Sequence, residues 1–167
     1  MIQKHRIALS ISCVIFFLLS GCASTQETFS HTITVAVWDM ENLSYEDSSR
    51  PDLGQILSAE IIESLRNSGG YQVVERQKLM LVLEELNLGS SDLADEGSRL
   101  RIGRIAGAAC MVFGGYQVIG SAMRIDLRLV DVSTGRIVRA SQKTASSSGM
   151  AQWLSAARDA ASELSMK

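Results

Sequence analysis

The chain has little of what most catalytic and metal sites are built from. Its 167 residues include two histidines and three cysteines. His31 lies in the polar, patternless stretch "ASTQETFSHT" at 23–32, so a Ser-His-Asp or Cys-His mechanism would have to recruit its imidazole from a tether. Zinc is equally short of soft or imidazole ligands. No GxGxxG or GxxxxGK[ST] spacing surrounds the glycine pairs Gly69-Gly70 and Gly114-Gly115, which excludes the common phosphate loops. Basic residues number 16 against 18 acidic ones, so there is no electrostatic footprint for nucleic acid. A single proline, Pro51, and scattered glycines argue against a linker-rich or low-complexity chain. The nearly unbroken apolar run from Ile7 to Leu19 is shorter than the roughly 20 residues a membrane-spanning helix needs.

That run has a different meaning when its flanks are included. Lys4, His5 and Arg6 precede it and the small pair Ser20-Gly21 follows, the order of a secretory signal peptide. Leu19-Ser20-Gly21-Cys22 resembles a bacterial lipobox, which places cleavage between Gly21 and Cys22 and makes Cys22 the lipidation site. A diacylglycerol on the sulfur and an acyl chain on the new amino terminus would bury methylenes at about 0.8 kcal/mol each, enough for stable attachment. Ala23 follows the cysteine where aspartate would resemble an inner-membrane retention signal, so the periplasmic face of the outer membrane is the expected location. The expected organisation is a signal peptide over 1–21, a lipidated cysteine and short tether over 22–32, and one domain over 33–167. The tether reaches no more than about 35 Å, which keeps the folded part near the membrane.

Removing the signal takes away Lys4, Arg6 and no acidic residue, leaving 14 basic against 18 acidic side chains and a mildly acidic net charge of −4. Cys13 leaves with the signal and Cys22 carries lipid, so Cys110 has no partner for an intrachain disulfide. In the apolar setting "AACMVFGG" it is expected to be a buried small hydrophobe rather than a nucleophile. Neither Glu84-Glu85 on one helix nor Asp126 and Asp131 on opposite sides of a strand form a pair suited to share a proton. The chain is therefore expected to be no enzyme and to carry no metal or cofactor beyond the lipid.

The pattern along the mature chain predicts an α/β domain with a mixed, partly antiparallel sheet flanked by helices. "ITVAVWDM" at 33–40 is apolar on both faces and predicts a central strand. Leu53, Leu57, Ile61 and Leu65 recur every four residues and predict a helix stopped by Gly69-Gly70. A short strand "YQVVE" leads into a helix with Leu79, Val82, Leu83 and Leu86 on one side, where Glu75 and Arg76 are expected to form a local ion pair. "SRLRIGRIAG" predicts a weaker helix with Leu100, Ile105 and Ala106 inward, and its Arg99, Arg101 and Arg104 are expected on a solvated face. Gly120-Ser121 suits a two-residue type II′ turn between "CMVFGGYQVI" and "AMRIDLRLVDV". In the second strand Arg124, Asp126 and Arg128 alternate with apolar residues and form a charged face, a candidate interface. "STG" at 133–135 predicts a three-residue turn into an edge strand, and a final helix from about Met150 carries Trp153, Leu154, Ala157, Ala161 and Leu164 on one stripe.

Four stretches, "VAVWDMEN" (35–42), "YQVVERQKLMLVLEELNLG" (71–89), "IGRIAGAACMVFGG" (102–115) and "IDLRLVDVSTGRIV" (125–138), resemble the CsgG family in that order. The resemblance implies an outer-membrane lipoprotein with a periplasmic α/β domain, a homo-oligomeric ring, and secretion or envelope proteins as partners. It implies a role in exporting or assembling an extracellular polymer, a curli-like fibre or a polysaccharide. Family members that form a channel do so with long hairpin insertions. Here the turn between Ile119 and Met123 is too short for two membrane strands of about 9–11 residues each, so a short form without membrane hairpins is expected. The competing expectation is a monomeric regulatory module acting on a cell-envelope enzyme, such as an activator of a penicillin-binding protein.

Overall fold

The structure, a computed structural model, describes residues 32–45, 52–89, 95–147 and 149–165. Positions called above in the signal, the lipobox (Gly21, Cys22) and the tether through His31 lie outside the described residues. In chain order the elements are β1 (Ile33–Val37), β2 (Glu41–Asn42), α1 (Leu53–Asn67), β3 (Tyr71–Val73), α2 (Arg76–Glu85), α3 (Glu96–Ile105), β4 (Cys110–Ile119), β5 (Ala122–Asp131), β6 (Ile137–Ala145) and α4 (Met150–Glu163). They form one mixed sheet of order β3-β1-β4-β5-β6, with β2 also paired to β4. The expected α/β class is what the chain adopts.

Half of the sheet is parallel and half antiparallel. β1 pairs in parallel with β3 and β4, and the β4-β5-β6 meander is antiparallel. Gly120 sits at φ 61° in the turn that opposes Ile119 to Ala122, as a glycine-first two-residue hairpin requires. The next connection is longer than three residues. Strand β5 ends at Asp131, β6 begins at Ile137, and the Asp131 N–H donates to the Arg136 carbonyl at 3.0 Å. Gly135 takes the left-handed position at φ 68°.

The strand expected over 33–40 is broken. Val37 ends β1, Trp38–Met40 step out, and β2 rejoins the same neighbour three residues further along, opposite Gly115 and Tyr116. The cause lies in α1. Met40 N–H donates to Ser58 Oγ at 2.9 Å, and a Cβ on Gly54 would stand 2.5 Å from the Met40 carbonyl oxygen. The glycine lets the helix touch the chain, and the buried serine takes the N–H that the ladder has released.

Two apolar clusters flank the sheet. On one face Val35, Val37, Val112, Ile125, Leu127 and Leu129 meet Leu57, Ile61 and Leu65 of α1 and Trp153, Ala157 and Ala161 of α4. Tyr71 Oη donates to the Leu164 carbonyl at 2.6 Å and Ser141 Oγ to that of Ala160 at 2.7 Å, fixing the end of α4 to both margins of the sheet. On the other face Ala36, Met111, Phe113 and Val130 meet Leu79 and Val82 of α2 and Ile102 and Ala106 of α3. Helix α3 turns Ala106 inward and keeps Leu100 partly buried against the cluster as expected, but Ile102 and Gly103 are buried in place of the expected Ile105, and Ile105 is exposed. Gly103 is the reason, since a Cβ there would stand 2.2 Å from Met111 Sδ. The backbone itself is the contact surface, so the apolar stripe turns toward it. Helix α2 ends at Glu85 with Leu86 as its C-cap, and Asn87 beyond it takes a left-handed conformation with φ 50°.

Candidate functional site

Helices α2 and α3 cover only part of their face, and the outer part of β4, β5 and β6 on that side stays open. The alternation of β5 places Arg124, Asp126 and Arg128 there. A cavity of about 520 Å³ lies between Asp126, Arg128 and the Trp38–Leu43 segment. Its floor is Phe113 and Gly115. A Cβ on Gly115 would stand 2.5 Å from Leu43 Cδ1 and 3.3 Å from the Glu41 carbonyl oxygen, so a close backbone approach explains this glycine.

Two arginines tie α3 to the cavity wall. Asp95 caps the helix by accepting from Ser98 N–H at 2.9 Å, which sets the phase of the first turn. Arg99 then lies 5.8 Å from the centroid of the Trp38 ring and pairs with Glu41, leaving its side chain 16% exposed. Arg128 reaches from β5 to Glu96 Oε2 at 2.7 Å and lies 5.7 Å from the Phe113 ring centroid. Arg124 donates through Nε and Nη2 to the two oxygens of Asp126, both at 2.7 Å. This hydrogen-bonded fork, with the Asp126 charge behind it, raises the Arg124 pKa.

The structure thus brings together all three residues of the predicted charged face and adds Trp38, Glu41 and Arg99 to them. Arg99 is not on a solvated face as expected; its guanidinium covers an aromatic ring. Arg104 donates to the Val132 carbonyl at 2.8 Å, and Arg101 is exposed. Glu75 and Arg76 do not pair with each other. Glu75 accepts from Arg66 at 2.8 Å and Arg76 pairs with Asp39 beside the cavity. These partners are far apart in sequence, and no local pattern announces them. The visible signals were Gly114-Gly115 and the alternation of β5.

The arrangement offers donors and acceptors held by ion pairs around an apolar floor, the chemistry of a recognition surface. Cys110 lies on the opposite face of the sheet in the α1 and α4 cluster, free and buried. Burial raises its pKa, and the Asp131 charge raises it further, which disfavours a thiolate. Among the described residues no group of three or more His, Cys, Asp or Glu side chains is placed to hold a metal, and no helix is long and apolar enough to cross a membrane.

Comparison with known proteins gives a family and a fold. The sequence pattern of the curli production assembly/transport component CsgG matches residues 22–121. No curated protein matches the chain in sequence. Among solved structures, the C-terminal domain of LpoB from Escherichia coli is similar at a TM-score of 0.59 and 19% identity, over 72% of this chain and 87% of that one. The PelC dodecamer from Paraburkholderia phytofirmans is similar at 0.58 and 19% identity, over 82% and 91%. The lipoprotein GNA1162 from Neisseria meningitidis follows at 0.51 and 14% identity, over 66% and 78%.

Proposed function

Since the chain belongs to the family of the curli production assembly/transport component CsgG, we propose that it is a non-catalytic lipoprotein of the outer membrane that supports assembly or secretion of an extracellular polymer as a ring of identical copies. The observation that carries this is the family match itself, which begins at Cys22, the residue of the lipobox. Residues 1–21 act as the signal peptide, Cys22 carries the diacylglycerol and acyl chain, and 23–32 tether the domain at the periplasmic face. The fold is one that PelC of P. phytofirmans presents as a dodecamer, which supports self-association. The polymer is a curli-like fibre or a polysaccharide, and the open charged face is the surface we assign to recognition.

A second reading has its own support, because the LpoB C-terminal domain shares the fold equally well. In it the chain is a monomeric module that regulates a cell-envelope enzyme. Native mass spectrometry of the detergent-extracted protein, with negative-stain images of the same sample, separates the two. A closed oligomer is the expected result; a monomer at every concentration overturns the ring and favours the regulatory module. The anchor has its own check: Cys22→Ala protein is expected to leave the outer-membrane fraction, and its recovery there at the native level would refute lipid attachment.

A further inference from the structure

The two margins of the domain carry complementary surfaces, and we propose that they are the two halves of one contact between adjacent copies of this chain. This rests on the self-association proposed above and names the surface that makes it. At one margin β6 is the last strand of the sheet, and its first residues are exposed between Arg136 and Arg139: Ile137 is 57% accessible on the α2 and α3 face, where it also lines the cavity, Val138 is 44% accessible, and Arg139 lies on the opposite face of the same edge. At the other margin β3 is the last strand, and α2 follows it directly. The solvent side of α2 exposes Met80 at 44%, where it borders a small cavity with Val37, Trp38 and Asp39, and Leu81 at 53%, with Glu84 and Glu85 one turn further along. The pairs 80/84 and 81/85 are helix neighbours, so the four side chains make one patch.

Each margin therefore presents two large apolar side chains beside two like charges, and the charges are of opposite sign. Among the described residues Arg136, Arg139, Glu84 and Glu85 form no ion pair, whereas seven other cation–carboxylate pairs are made within the domain. An apolar centre with opposed charges is what a specific contact between two protein surfaces requires. The patches differ from each other, one on the β6 edge and the other on the helix that follows the β3 edge. A copy using both joins two neighbours head to tail, the heterologous contact that closes into a ring when its rotation permits. A symmetric dimer, which would set like charges against each other, is disfavoured.

Charge exchange in the full-length lipidated protein tests this, with native mass spectrometry as the readout. Glu84→Arg with Glu85→Arg makes both margins basic, and Arg136→Glu with Arg139→Glu makes both acidic. Each double variant alone is expected to lose the oligomer. Mixed in equal amounts, the two are expected to regain it as an alternating assembly with an even number of copies, which also shows that both variants fold. Variants that keep the native mass would overturn this interface while leaving the ring intact. Variants that lose the oligomer and fail to complement each other would overturn it too, and a monomeric native protein would remove both the ring and the contact.

Discussion

Gly103 and Asp131 show how much of this domain turns on single atoms. Helix α3 rests on β4 through the bare backbone of Gly103, with Met111 fully buried against it. Gly103→Ala is expected to lower stability by about 1–3 kcal/mol in urea unfolding, and shortening the opposing side chain with Met111→Val should recover part of that loss. Asp131 Oδ1 accepts from the Ser133 hydroxyl at 2.6 Å, Thr134 N–H at 2.8 Å, the Thr134 hydroxyl at 2.9 Å and Ser133 N–H at 3.0 Å. These bonds, the Ser133 hydroxyl first among them, lower its pKa from 3.8 to about 2. The folded value lies below the unfolded one, so the stabilisation is present above about pH 4 and is lost as pH falls toward 2. Asp131→Asn is expected to flatten the dependence of the urea midpoint on pH in that window.

At the scale of elements, the break between β1 and β2 depends on α1 more than on the strand itself. Ser58 is buried and takes the Met40 N–H, so Ser58→Ala leaves that donor unsatisfied and is expected to cost about 1–3 kcal/mol. If urea unfolding shows no loss, the step at Trp38–Met40 is held by other contacts. The break was invisible in "ITVAVWDM" because apolar residues on both faces describe an unbroken strand and a stepped one equally. Helix α1 and strand β5, by contrast, follow their sequence periods closely, since each presents a full apolar stripe to one cluster. The charged face was legible from the same alternation in β5. Its partners were not, because Glu41, Glu96 and Arg99 reach it through chain folding rather than local spacing. The outward turn of Ile105 in α3 has a similar origin: hydrophobicity favoured Ile105, but the smallest side chain decided which side of the helix approaches the sheet.

Across the whole domain, one sheet backbone carries both apolar clusters, with Val35 and Val112 facing one and Ala36 and Met111 the other. Ile61→Ala in the first cluster and Ile102→Ala in the second are each expected to cost about 2–5 kcal/mol and to lower one shared thermal transition. Two transitions in calorimetry, moved separately by the two substitutions, would contradict that coupling. The division of the sheet into a parallel and an antiparallel half also sets an order in time. The β4-β5-β6 meander closes through short turns, whereas pairing Val35 with Cys110 must first enclose three helices and two strands. Loop closure makes the second step the slower one. A folding chain would thus hold a formed meander whose β4 margin waits, unpaired, for the N-terminal strand to arrive.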